Sequence, residues 1–130
     1  MAEVLTGQRA ALALALYDAG IFLDKTHSPE GKGFRLKLHD KQPDAPLSPY
    51  YIDLRRLRGF PTIMAQVAET LLSLPGELHF DLLADIPISI SPVVGVMAVQ
   101  SNIRMVTPRP PKERGTKSSV EGVFRPGERV

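Results

Sequence analysis

No cysteine occurs among the 130 residues. A disulfide framework and a thiolate metal site are therefore excluded, and the composition suits a reducing compartment, with the cytoplasm the expected location. Long hydrophobic runs are also missing. The longest, residues 10–16 and 92–99, fall short of the roughly 20 apolar residues that a membrane-spanning helix needs. The N-terminus lacks the basic segment ahead of an apolar one that marks a secretory signal, so neither a secreted nor a membrane-associated chain is expected. From Ser101 onward Phe124 is the single aromatic residue. Single-stranded nucleic acid is gripped by aromatics interleaved with cations, so nucleic acid is not an expected partner. His27, His39 and His79 share no ligand spacing with one another or with carboxylates, and no metal site built by the protein is expected. Ser89 and Ser91 have no histidine base legible beside them, which leaves nucleophilic catalysis without support. There is no internal repeat and no low-complexity tract.

What is present describes a globular domain. Hydrophobic residues make up 43% and charged residues 23%, and the length suits one compact unit spanning residues 1–130. Sixteen basic and fourteen acidic residues leave a net charge of only +2. The excess lies in the tail, where Arg104, Arg109, Lys112, Arg114, Lys117, Arg125 and Arg129 face Glu113, Glu121 and Glu128. A small phosphorylated ligand fits such a cluster.

The chain reads as alternating elements. Residues 4–19 are rich in Ala and Leu at helical spacing, with Gly20 placed to stop the helix in a left-handed turn. Short alternating stretches at 34–38 and 50–54 predict two strands paired with each other, separated by a loop rich in Pro, Asp and Lys. Pro61 opens a second helix over 60–74 with an apolar face, ended by Pro75-Gly76. Residues 80–84 predict a buried strand, Ser91-Pro92 a third helix with Ser91 as N-cap, and 103–107 a further strand. Strand, helix and strand in that order imply a parallel pair and an α/β fold, with ligands bound beyond the carboxyl ends of the strands, after Ala84 and after Thr107. The stretch 108–119, with three prolines, Gly115 and four basic residues, predicts an exposed loop. A last strand is expected over 120–124, followed by a turn at Arg125-Pro-Gly-Glu-Arg129.

Four segments resemble orotate phosphoribosyltransferase, a type I phosphoribosyltransferase. Phe34-Arg-Leu-Lys37 followed by Ser48-Pro-Tyr-Tyr51 is similar to that family's Phe-x-Leu-Lys and Ser-Pro-Tyr-aromatic pair, with extra residues between them here. Phe80-Asp-Leu-Leu-Ala-Asp-Ile-Pro87 resembles its pyrophosphate loop after the first core strand. Lys112-Glu-Arg-Gly-Thr-Lys117 and Val120-Glu-Gly122 resemble its flexible basic loop and the strand that follows. The resemblance implies an N-terminal hood over about 20–58 and the start of a parallel core sheet, flanked by helices, over about 59–130. It further implies transfer of a ribosyl 5-phosphate from phosphoribosyl pyrophosphate to orotate, with Mg²⁺ bridging the diphosphate and hydroxyls, in a homodimer.

Carried over by motif, Lys37 would reach the base carboxylate or the pyrophosphate, and Tyr50 and Tyr51 would line the orotate pocket. Ser89 would sit in the pyrophosphate loop. Arg109, Lys112 and Arg114 would face the sugar-phosphate donor, with Lys112 and Arg114 assisting the chemistry. Arg114 stands where the family has His or Tyr, and a guanidinium binds phosphate but cannot act as a neutral proton donor near pH 7. Ile88-Ser-Ile-Ser91 replaces a glycine-bearing loop whose amides approach a diphosphate closely. Asp85 falls beside that anion site, where its charge would oppose phosphate. The family's later strand and loop, with paired acids and Thr-Thr-Gly, does not follow within these residues, so the sheet is expected to be C-terminally incomplete. The chain by itself is then expected to be inactive. The competing expectation is a degenerate, non-catalytic module that binds nucleotides or another subunit.

Overall fold

The computed structural model describes residues 7–110, 113–115 and 117–130. Two compact units divide it, one ending at Leu57 and the other beginning at Arg58. The boundary falls within the 3-10 segment Leu54–Gly59.

In the first unit, helix α1 (Gly7–Asp18) is formed by the Ala- and Leu-rich stretch. Residues 4–6 of the predicted helix lie outside the described residues. Its end follows the expected chemistry. Gly20 takes φ +66°, its N–H donates to the Tyr17 carbonyl at 2.9 Å, and the Ile21 N–H donates to Leu16 at 2.9 Å. This pair of bonds satisfies two of the last helical carbonyls and needs a left-handed residue at the position of Gly20. Ile21, just beyond, is fully buried.

Strand β1 (Phe22–Asp24) pairs antiparallel with β2 (Tyr50–Ile52), joining Phe22 to Ile52, Leu23 to Tyr51 and Asp24 to Tyr50. The predicted pairing of 34–38 with 50–54 is thereby corrected. Only Phe34 bridges, and to Ser48, through bonds of 2.8 and 3.0 Å. Residues Lys37–Asp40 turn into a 3-10 helix instead. The alternation of Phe34, Leu36 and Leu38 imitates a half-buried strand, yet Leu36 and Leu38 are exposed and His39 is the buried group. The His39 ring explains the turn: its Nδ1 accepts from the Leu36 N–H at 2.8 Å, and with the proton on Nε2 the ring donates to the Pro46 carbonyl at 3.3 Å.

The second unit holds the α/β pattern. Helix α2 (Pro61–Ser73) begins on Pro61, as expected, and buries Ala68. Strand β3 (Leu82–Ala84), helix α3 (Ser91–Ser101) and strand β4 (Arg104–Pro108) follow. β3 and β4 run parallel, pairing Leu82 with Arg104, Leu83 with Met105 and Ala84 with Val106, so the βαβ unit is present. α2 packs on α3, and α3 on both strands. Leu82, Leu83, Val93, Val94, Val106 and Ala68 form the buried core. The predicted Ser91 cap is corrected: Ser91 is already helical, and Ile90 precedes it without a side-chain cap. Asn102 ends α3 in the left-handed conformation that Asn tolerates.

The predicted strand 120–124 shortens to β5 (Val120–Glu121), antiparallel to β4. Gly122 ends it, because a Cβ there would lie 2.8 Å from the Met105 carbonyl and φ is +115°. Beyond the turn at Arg125, the Arg129 carbonyl accepts from the Asp81 and Leu82 amides at 2.8 and 3.1 Å, and its N–H donates to the Asp81 carboxylate at 2.9 Å. The final residues therefore lie along the start of β3.

Candidate functional site

In the first unit the ladder places the two motif tyrosines on opposite faces. Tyr50 is exposed and its ring stacks on Phe22, centroids 5.9 Å apart. Tyr51 is half-buried and tilts against Phe34 at 5.7 Å. The Phe34–Ser48 bridge therefore brings the Phe-x-Leu-Lys and Ser-Pro-Tyr-Tyr motifs together, and Ser48 Oγ anchors the corner by donating to the Tyr50 carbonyl at 2.7 Å. Gly33 makes the approach possible. A Cβ there would stand 2.7 Å from the Ser48 carbonyl and 2.9 Å from the Leu47 Cβ. Lys37 opens the 3-10 turn, exposed, in no ion pair among the described residues.

At the other end of β1, Asp24 collects donors: the Thr26 hydroxyl, the Thr26 N–H at 2.8 Å, His27 Nδ1 at 3.0 Å and the Tyr17 hydroxyl at 3.2 Å. The Thr26 hydroxyl foremost, with the Thr26 amide, His27 and Tyr17, holds its carboxyl down at about 2. The same hydrogen bond, together with the Asp24 charge, raises Tyr17. This cluster caps the 3-10 turn Lys25–His27. The Thr26 hydroxyl donates to the carboxylate and stands 3.4 Å from His27 Nδ1, the same nitrogen that meets Asp24. No base is therefore left facing a nucleophile.

In the second unit the carboxyl ends of β3 and β4 bring together polar groups that the core leaves incompletely satisfied. Asp85 follows β3 directly. Its N–H donates to the Val106 carbonyl at 3.2 Å, which fixes the backbone, while the side chain is only 2% exposed and neither carboxylate oxygen has a hydrogen-bond partner. An unpaired buried carboxylate costs on the order of several kcal/mol. Arg109 follows β4, with its N–H bound to Ser119 at 2.8 Å. It was expected in an exposed loop, but its side chain is only 14% exposed, and Nε lies 2.6 Å from Glu121 Oε1. Nε and Nη1 nevertheless make no hydrogen bond. The approach is an ion pair at a poor donor angle, and two donors stay unused.

Ser89 lies in the turn between Asp85 and α3, half-buried. That turn is held from outside the loop by Arg58, whose Nη2 donates to the Ile88 carbonyl at 2.6 Å. Arg58 was not singled out in the sequence; its signal is the basic cluster of Arg55, Arg56 and Arg58 just ahead of the Pro61 helix start. Arg114 is exposed, and Lys112 lies outside the described residues. At the far edge of this unit, Glu128 accepts from the Arg125 N–H at 2.6 Å and from Arg104, and these donors, the backbone one first, lower its carboxyl.

Among the described residues no three His, Asp or Glu side chains come together. A Mg²⁺ carried by a diphosphate is a different case. Mg²⁺ commonly takes one or two carboxylates, phosphate oxygens and waters, and the donor-free carboxylate of Asp85 fits that demand.

The chain is a mixed α/β protein whose fold is similar to that of a UMP synthase. The chain superimposes on the structure of Leishmania donovani UMP synthase with a TM-score of 0.71 and 30% identity, over 94% of this chain and 24% of that one. In sequence it is 40% identical over 83 residues to the bifunctional enzyme PyrF/PyrE of Nostoc sp., covering 63% of this chain and 17% of the relative. It is 36% identical over 84 residues to uridine 5'-monophosphate synthase of Bos taurus, covering 62% and 18%. With orotate phosphoribosyltransferase of Caenorhabditis elegans it shares 31% over 87 residues, 65% and 38%. No protein-family profile matches the chain. The resemblance carried by the motifs thus extends over about two thirds of the chain: it is similar to part of proteins named orotate phosphoribosyltransferase or UMP synthase, and it spans well under half of their length. No helix among the described residues is long and apolar enough to cross a membrane.

Proposed function

We propose that this chain is an orotate phosphoribosyltransferase-like protein of pyrimidine nucleotide synthesis, acting on orotate and phosphoribosyl pyrophosphate in the cytoplasm as a homodimer. The observation that carries the reading is the parallel β3–β4 pair, whose carboxyl-end loops hold the motif residues and bury polar groups still lacking partners. Open α/β sheets bind ligands at that place. Partial satisfaction of Arg109 and Asp85 is what a site waiting for a charged ligand would show.

In this reading the second unit is the start of the sugar-phosphate core and the first is the hood. Arg109, its Nε against Glu121, contributes Nη1–H to diphosphate oxygens, with Lys112 and Arg114 adding positive charge. Ser89 donates its hydroxyl from a turn that Arg58 steadies through Ile88. Lys37 offers an ammonium to the orotate carboxylate or the pyrophosphate, and Tyr50 presents an exposed ring to the base. Tyr51, packed on Phe34, shapes the strand that carries Tyr50. A Mg²⁺ carried by the donor would supply positive charge to the diphosphate, and Asp85 is the carboxylate placed to hold it. The work left to the protein is positioning and electrostatic stabilisation, with no covalent step on a side chain.

One observation favours a second reading, a non-catalytic binding module. The turn from Asp85 to Ser91 contains no glycine, and Ile86 and Ile88 are exposed there, so side chains stand where amides would meet a diphosphate. Calorimetric titration with orotate and with Mg-pyrophosphate, beside a direct assay for orotidine 5-monophosphate, separates the two. Binding of both with turnover supports the enzyme. Binding of pyrophosphate without turnover supports the module, and binding of neither ligand overturns both.

A further inference from the structure

We propose that Asp85 is a ligand of the divalent cation travelling with the diphosphate, so that the loop after β3 accepts a metal–diphosphate and rejects the metal-free anion. The inference rests on the phosphoribosyltransferase-like reading and adds to it a residue and a selectivity. Asp85 is almost fully buried, its backbone is pinned to Val106, and both carboxylate oxygens lack a donor. No ion pair among the described residues includes it. Arg104 is engaged by Glu128 and the Val123 carbonyl, Arg109 by Glu121, and Arg58 reaches the Ile88 carbonyl. A buried carboxylate left this way is stabilised only by a cation or a donor that arrives with the ligand.

Register narrows what that ligand is. Ala84 pairs with Val106, so Asp85 and Arg109 leave neighbouring parallel strands at the same end. One calls for positive charge, while the other, beside its ion pair with Glu121, keeps Nη1 without a hydrogen bond and able to donate to an anion. A purely cationic ligand would satisfy Asp85 and leave Arg109 as it is. Metal-free diphosphate would satisfy Arg109 and set its own charge against a carboxylate in a place where water screens little. A Mg²⁺–diphosphate presents both signs, since the metal keeps coordination positions for a carboxylate and for waters beyond those the phosphates fill. An aspartate otherwise hostile to phosphate thus becomes a reader of its counter-ion.

The experiment is calorimetric titration of the full chain and of Asp85→Asn with inorganic pyrophosphate, once with excess Mg²⁺ and once in chelator. Asn keeps the shape, removes the charge and adds a donor. The parent should bind the Mg²⁺ form at least roughly tenfold more tightly than the metal-free form, and Asp85→Asn should lose or invert that preference. Mn²⁺ electron paramagnetic resonance with pyrophosphate present gives a second readout: the protein-bound signal should weaken in the variant. Equal binding of both forms by the parent, or an unchanged metal preference in Asp85→Asn, overturns the inference and leaves the anion site standing. Failure of both proteins to bind either form overturns the site and the inference together. A thermal melt shows that the variant is folded, and it should be no less stable than the parent because an unpaired buried charge has gone.

Discussion

The two units are held together by different forces. Beyond Arg58, six apolar side chains from two helices and two parallel strands share one core. Before it, Ile21 and Leu57 are the buried aliphatic residues among those described, and Ser28 and His39 are buried beside backbone groups that they bond. Ser28 Oγ donates to the Lys25 carbonyl at 2.6 Å and accepts from the Gly33 N–H at 2.8 Å. The second unit can be assembled from hydrophobic patterning, because burial of apolar area is non-directional and tolerant. The first depends on directional bonds, each of which needs one particular group in one place. Volume changes should therefore be felt most in the second unit, and changes of polar group or backbone freedom in the first.

The largest effect is expected from Leu82→Ala. Leu82 lies in β3, buried, and its truncation should cost about 2–5 kcal/mol. Hydrogen exchange at the β3–β4 amides should accelerate accordingly. Unchanged protection there would mean that packing does not dominate this unit.

A somewhat smaller loss should follow Gly33→Ala in the first unit. The new Cβ meets the Ser48 carbonyl and the Leu47 side chain, and φ is +123°, which together should cost about 2–4 kcal/mol. The amides of Phe34 and Ser48, which bond each other's residues, should lose protection first. Should the variant keep both protected, the bridge between the two motifs does not depend on the glycine.

The same division decides how much could be read from sequence. α2 and the βαβ order were legible because periodicity, Pro61 and the apolar strands all follow from burial on one face. Gly20 was legible because only a left-handed residue ends a helix in that way. The pair β1–β2 was not, since Phe22-Leu23-Asp24 is too short to show a period and its partner is set by the turn chemistry between them. Residues 34–38 misled because Leu36 and Leu38 alternate like a strand while the group that turns inward is His39, whose burial follows from two hydrogen bonds rather than from hydrophobicity. At the site, that Asp85 directly follows β3 could be read. Its complete burial without a donor could not, because that depends on what surrounds it in space. Arg58 and the Glu121 partner of Arg109 escaped for the same reason.

The smallest effect compares a carboxylate in each unit under acid. Asp24 has its carboxyl depressed from 3.8 to about 2, first by the Thr26 hydroxyl. A depressed carboxyl favours the folded state once it is ionised in both states, so its contribution is complete above the unfolded value and fades as pH falls through the folded one. The first unit should lose this support between pH 3.8 and about 2. Glu128 is lowered as well, chiefly by the Arg125 N–H, and its support in the second unit should fade as pH drops below its ordinary value of 4.5. Asp24 and Glu128 are both half-buried at the surface, within reach of solvent, so screening keeps each contribution small. All three tyrosines, Tyr17, Tyr50 and Tyr51, precede Leu57, so tyrosine fluorescence reports the first unit, and amide exchange at Arg125 reports the second. Asp24→Asn should flatten the acid dependence of the tyrosine-detected melt and leave that of Arg125 exchange, while Glu128→Gln should do the reverse. If either substitution moved both signals equally, the two carboxylates would be supporting one shared transition, and the division of forces at Leu57 would not be a division in stability.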